Sequence, residues 1–122
     1  MATVLIAEDD NDIRSAYVFA LSKAGHHVLQ AVDGAQALEV VDVKAPDVVL
    51  LDMLMPGMSG LDFLRQSQLT SRFPGVKVLA FSNIDNPHVR DQAKELGVQE
   101  YFIKVNITPR EMVKVVERYL NE

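Results

Sequence analysis

The chain has 122 residues, 48% of them hydrophobic, and a formal net charge of −5. That length suits one compact domain with a single core, and the apolar residues are too dispersed for a membrane span. The acidic balance excludes a global pull toward nucleic acid, and the absence of cysteine excludes a disulfide framework and thiolate metal sites. No basic run supplies a local nucleic-acid patch, and with no basic region ahead of a long apolar run at Met1-Ala2-Thr3 no signal peptide is expected. A cysteine-free chain fits a reducing cytoplasm. No repeat, low-complexity tract or linker interrupts it, so residues 1–122 are expected to form one domain, with no second domain after the last helix.

Val4-Leu5-Ile6-Ala7 is a continuous apolar run that ends on Glu8-Asp9-Asp10-Asn11-Asp12. Runs this short, bounded by breakers or charges, read as strands buried on both faces. From Ile13 the period changes, and Ile13, Ala16, Tyr17, Ala20, Leu21 and Ala24 fall on one helical face. Asp10, Asn11 or Asp12 caps that helix, and Gly25 closes it. His27 to Val32 is a shorter strand, and Asp33-Gly34 opens a second helix with Ala37, Leu38 and Val41 inward. Val48-Val49-Leu50-Leu51 is a second buried strand, ending on Asp52 and the breaker-rich Pro56-Gly57-Met58-Ser59-Gly60. Leu61 and Leu64 anchor a short helix after it. Val76 to Phe81 is the fourth strand, ending on Ser82-Asn83, and Asn86-Pro87 starts a helix with Val89, Ala93 and Leu96 as its stripe. Gln99 to Ile103 is the fifth strand, ending on Lys104. Thr108-Pro109-Arg110-Glu111 is a capping box for a last helix that faces inward with Met112, Val115, Val116, Tyr119 and Leu120.

Five alternations of strand and helix predict a parallel sheet covered on both faces, a doubly wound α/β fold. Right-handed crossovers then bring all strand carboxyl ends to one edge. Glu8, Asp9, Asp10, Asp52, Ser82 and Lys104 collect there. Two carboxylates about 5 Å apart repel by roughly 3 kcal/mol at an effective dielectric near 20. A divalent cation offsets that repulsion, and an all-oxygen, partly hydrated site favours Mg²⁺. Lys104 and Ser82 add donors suited to phosphoryl oxygens, and a carboxylate such as Asp52 can attack phosphorus. Taken singly, each residue has a plainer reading. The acidic loop reads as a helix cap, Asp52 as a strand end, Ser82 as a turn residue and Lys104 as a solvated lysine. Met53, Met55 and Met58 read as packing, and the scattered His26, His27 and His88 as structural or exposed.

With those residues in place, the whole chain resembles the receiver domain of bacterial two-component response regulators. Its most specific piece is Asp52-x-x-Met55-Pro56-x-Met58-x-Gly60, reinforced by Glu8-Asp9, Ser82 and Tyr101-x-x-Lys104. The resemblance implies a flavodoxin-like (βα)5 fold with strand order 2-1-3-4-5. It implies that Asp52 accepts a phosphoryl group from a sensor histidine kinase or phosphotransfer protein. It also implies that Glu8, Asp9, Asp52 and the backbone carbonyl of Leu54 hold Mg²⁺, and that Ser82 and Lys104 bind the phosphoryl oxygens. Ser82 and Tyr101 then switch the face built from the fourth helix, fifth strand and fifth helix toward a downstream protein. That face is also a possible weak homodimer contact, the alternative being a monomer. Direct nucleic-acid or membrane partners are not implied. Chemistry is limited to self-phosphorylation and slow self-dephosphorylation, so the domain is a switch and not an enzyme.

Two departures stand out. Val105 follows Lys104 where the family usually has proline, often cis, so a trans bond is expected here. Leu54 and Ile84 occupy two variable positions beside the site, and apolar groups there are expected to guide an attacking water poorly. A pseudo-receiver that keeps the fold without phosphorylation is the alternative, and the intact Glu8-Asp9, Asp52 and Lys104 oppose it. A flavodoxin would need a glycine- and hydroxyl-rich first loop. A haloacid-dehalogenase-type phosphatase would need an acid two positions after Asp52, where Leu54 stands.

Overall fold

A computed structural model describes residues 2–121. Its elements are β1 (Thr3–Ala7), α1 (Asn11–Lys23), β2 (His27–Ala31), α2 (Gly34–Val43), β3 (Val48–Leu51), α3 (Gly60–Ser67), β4 (Lys77–Ser82), α4 (Pro87–Glu95), β5 (Val98–Ile103) and α5 (Pro109–Leu120). A helical turn at Leu69–Arg72 follows α3, and a 3-10 turn at Lys104–Asn106 joins β5 to α5. The five strands are all parallel, in the order β2-β1-β3-β4-β5.

Alternate strand residues feed two cores. Leu5, Ala7, Val49, Leu51, Val78 and Ala80 meet buried Ala37, Val41, Phe63, Leu64 and Ala93 from α2, α3 and α4. Val4, Ile6, Val48, Leu50, Leu79 and Phe81 meet Tyr17 and Leu21 of α1 and Met112 and Val116 of α5. Each strand residue thus buries against one helical layer, as the period-2 pleat requires. Burial of both faces explains the unbroken apolar runs.

Most caps form as the sequence predicts. Asp10 closes α1 by accepting from Ile13 N–H at 3.0 Å, Asp33 caps α2, Asn86 caps α4 ahead of Pro87, and Thr108 with Glu111 completes a reciprocal box at α5. Gly25 and Gly97, at φ +95° and +100°, supply the left-handed turns after α1 and α4.

Three details differ from the periodicity. Ala16 and Ala24 are exposed, because Tyr17 and Leu21, flanked by half-buried Ile13 and Val18, fill the seam of α1 and Ala24 lies past the helix end. In α3, Phe63 and Leu64 are the buried pair, while Leu61 is only half-buried. The larger Phe63 side chain takes the place under the sheet. The Leu69–Arg72 turn has no periodic signal of its own, and Gln68 enters it at φ 50°. No peptide bond among the described residues is cis, so Lys104–Val105 is trans, as expected without proline.

Candidate functional site

Strand register sets the site. Ala7 pairs with Ala31 on one side and with Leu51 on the other. The ladder runs one bond further, with Glu8 N–H donating to Ala31 C=O at 3.0 Å and Asp52 N–H to Ala7 C=O at 3.0 Å. Glu8 and Asp52 therefore leave the sheet side by side. Between β1 and β3 the strand order reverses, and the crevice outside such a switch point is where open α/β sheets bind ligands. Ser82 pairs with Ile103, so Lys104 begins one residue past the β4–β5 ladder. A cavity of about 700 Å³ opens here, lined by Glu8, Asp9, Asp52, Leu54, Ser82 and Lys104 among others.

The charges inside it are tightly coupled. Glu8 is 0% exposed and Asp52 2%. The Lys104 side chain, 15% exposed, places Nζ 2.6 Å from Glu8 Oε1 and 3.1 Å from Asp52 Oδ2. The Asp52 contact is a hydrogen bond, whereas the Glu8 contact is off the bonding geometry and leaves Oε1 without an aligned donor. Asp52 Oδ1 accepts from Leu54 N–H at 3.1 Å, and Glu8 Oε2 from Asp10 N–H at 3.0 Å. Burial pushes both carboxyl groups above their ordinary range, against the opposing pull of Lys104 and these N–H donors. For Lys104, burial works to lower its pKa, and the two carboxylates together outweigh it and raise it. The Phe81 ring lies 5.4 Å from Nζ and packs against Tyr17, whose hydroxyl is pushed up to about 12 by burial and by Glu8 and Glu111.

Across the cavity, buried Ser82 accepts from Ile84 N–H at 3.2 Å through Oγ. The Tyr101 hydroxyl donates to Ile84 C=O at 2.8 Å. Ser82 and Tyr101 thus hold opposite ends of the same loop residue. Sequence reading gave Ile84 no part in that link. Nor did it find Arg14, whose guanidinium reaches the Glu8 carbonyl, because a lone arginine in a first helical turn reads as solvated.

Gly60 explains one fixed point of the Asp52 loop. A Cβ there would lie 2.7 Å from the Asp52 carbonyl oxygen and 2.9 Å from Met53 Cα, so α3 starts in direct contact with the peptide after Asp52. Gly60→Ala is expected to lose about 1–3 kcal/mol of stability, read as a lower denaturant midpoint. Gly75→Ala, which meets nothing within 4 Å, is expected to stay near neutral.

Glu8, Asp9 and Asp52 each offer a carboxylate oxygen, and these atoms lie within 4.8 Å of one another. Two are buried and one is exposed, and Glu8 Oε1 has no aligned donor. Hard oxygen ligands with one solvent-facing side suit a divalent cation that keeps part of its water shell. The sheet edge therefore defines an acidic switch-point pocket with a lysine counter-charge.

Comparison with known proteins agrees. The sequence profile of the response regulator receiver domain matches residues 4–117. The chain is 35% identical over 114 residues to the phosphate regulon transcriptional regulatory protein PhoB of Pseudomonas aeruginosa, covering 91% of this chain and 48% of that protein. It is 33% identical over 101 residues to sporulation initiation phosphotransferase F of Bacillus subtilis, covering 83% of this chain and 80% of that one. The chemotaxis protein CheY4 of Vibrio cholerae superposes with a TM-score of 0.87 at 28% identity, covering 98% of each chain. The chain spans about half the length of the PhoB relative. This chain belongs to the response regulator receiver domain family of two-component systems. Receiver domains are signalling domains that work with histidine kinases or phosphotransfer proteins and with downstream effectors. No helix among the described residues is long and apolar enough to cross a membrane.

Proposed function

We propose that residues 1–122 act as one cytoplasmic receiver domain, switched by Mg²⁺-dependent phosphorylation of Asp52. The supporting observation is the placement of Asp52. It is buried at the switch point, its carboxylate within 4.8 Å of those of Glu8 and Asp9 and accepting a hydrogen bond from Lys104.

In this reading Glu8, Asp9, Asp52 and the Leu54 backbone carbonyl would hold Mg²⁺. When bound, the ion neutralises charge on the carboxylates and on the incoming phosphoryl oxygens. An Asp52 carboxylate oxygen bonds to phosphorus as the phosphorus–nitrogen bond of the donor phosphohistidine breaks and the imidazole leaves. Lys104 gives up part of its contact with Asp52 to meet a phosphoryl oxygen, and the Ser82 hydroxyl donates to another. Ser82 then drops its bond from Ile84 N–H. That frees the loop Tyr101 holds, and Tyr101 repositions at the face of α4, β5 and α5. The downstream partner is a protein that reads this face, and weak self-association belongs to the same surface. Self-phosphorylation and slow self-dephosphorylation are the steps of this switch.

Intact-mass analysis after incubation with acetyl phosphate tests the proposal. The expected result is one phosphoryl group that requires both Mg²⁺ and Asp52, and none on Asp52→Asn. No adduct on the wild type, with no spectral response to beryllofluoride, favours the pseudo-receiver. The same assay reads lifetime. Leu54 is exposed at the cavity rim and Ile84 also lines it, and neither offers an attacking water a polar partner. Leu54→Asn is therefore expected to shorten the lifetime of the phosphoryl group. Unchanged or slower loss would count against that assignment.

A further inference from the structure

Glu8 is held at nearly every polar atom. Its N–H donates to Ala31 C=O at 3.0 Å, and its Oε2 accepts from Asp10 N–H at 3.0 Å. Its carbonyl is the exception in the sheet, because β2 ends at Ala31 and offers no further donor. The guanidinium of Arg14 takes that place. Its Nη1 donates to Glu8 C=O at 2.9 Å, its Nε to Gln30 Oε1 at 3.1 Å, and its Nη2 to Asn11 Oδ1 at 2.5 Å. One half-buried side chain thus ties the end of β1 to the first turn of α1 and to β2.

The Glu8 carbonyl belongs to the peptide that joins Glu8 to Asp9. Its orientation sets where the Asp9 backbone goes and so where the exposed Asp9 carboxylate points. A planar fork with donors in three directions fixes that peptide, and a lysine ammonium cannot reproduce it.

Building on the Mg²⁺ reading above, we propose that Arg14 is a positioning residue for the cation site. It locks the Glu8–Asp9 peptide so that the two carboxylates converge with Asp52. It touches neither cation nor phosphoryl group. Groups that orient ligands from behind commonly change metal affinity by about 10–100-fold when removed. Arg14 therefore sets the Mg²⁺ concentration at which the domain is labelled, and leaves the chemistry at saturating Mg²⁺ alone.

The test is calorimetric titration of Mg²⁺ into the full chain as wild type, Arg14→Met and Arg14→Lys. Acetyl phosphate labelling is followed against Mg²⁺ concentration in parallel. Arg14→Met is expected to bind Mg²⁺ about tenfold more weakly. Its half-maximal labelling should shift by the same factor while the maximal rate stays within about twofold. Arg14→Lys, which keeps the charge without the fork, is expected to recover little of the affinity. Wild-type affinity in Arg14→Met overturns the inference, and so does full recovery in Arg14→Lys, which would make the effect one of charge alone. If thermal melts show Arg14→Met unfolded, the double variant Asn11→Ala/Gln30→Leu releases the fork with Arg14 in place. It is expected to bind Mg²⁺ more weakly than wild type, and unchanged affinity again overturns the inference. A wild type that binds no Mg²⁺ brings down the metal reading itself, a result separable from a wild type that binds and a variant that binds equally.

Discussion

Lys104→Met is expected to lower the stability of the metal-free protein by about 3 kcal/mol at about pH 7. The reason lies in the two carboxylates it would leave behind. Glu8 and Asp52 are fully buried at the sheet edge, and Lys104 is the cation in contact with both. Breaking a buried pair by removing one partner leaves the other charged and desolvated, which costs more than the pair contributes. The pH dependence follows from the directions of the shifts. The folded-state values of Glu8 and Asp52 lie above 4.5 and 3.8, chiefly through burial. Groups raised on folding favour the folded state below their unfolded values, and that advantage is lost as pH rises through the folded ones. The Lys104 value is also raised, so its contribution is present below 10.5 and is lost only above that. The loss in Lys104→Met should therefore be full near neutrality and shrink toward about pH 5 as the stranded carboxyl groups take up protons. Urea melts at the two pH values, without metal, measure it. An equal loss at both would assign the effect to packing around the lysine and not to charge. Saturating Mg²⁺ should restore part of the stability at neutral pH, since a ligand bound only to the folded state stabilises it.

Phe63→Ala is expected to cost about 3–5 kcal/mol, a large share of the roughly 5–15 kcal/mol that holds a domain of this size folded. Phe63 is fully buried in the layer formed by α2, α3 and α4, against the face of the sheet that carries Leu5, Val49, Leu51 and Val78. Truncation removes a large apolar side chain and leaves a cavity that close packing fills only in part. Phe19→Ala is the control. That ring is 68% exposed on α1, with the Lys23 ammonium 5.8 Å from its centroid, and its loss should stay within about 0.5 kcal/mol. Denaturant midpoints at unchanged slope decide the comparison. A small effect at Phe63 would mean that the core on that side of the sheet collapses freely, contrary to its packing.

Much of this protein was legible without coordinates. Unbroken apolar runs such as Val48 to Leu51 announced strands covered on both faces, and each run stopped on a polar residue where the chain left the core. Asn86-Pro87 and Thr108 with Glu111 announced helix starts through local hydrogen-bond needs that the neighbouring residues themselves satisfy. Alternation then dictated the parallel sheet and its shared edge. All of these signals are local, because they depend on what one residue needs from its own turn or pleat.

What only the tertiary structure decided are the relations between residues far apart in the chain. The level at which Glu8 meets Asp52 depends on the β1–β3 register, and the Lys104 contacts depend on β4 and β5 in turn. Phe63 and not Leu61 fills the α3 seam, and Ala16 faces solvent. Both outcomes depend on the volume left by neighbouring elements, which a helical period does not encode. The hold of Arg14 on the Glu8 carbonyl is of the same kind. A backbone acceptor carries no mark in the sequence, and its partner is chosen by where β2 happens to end.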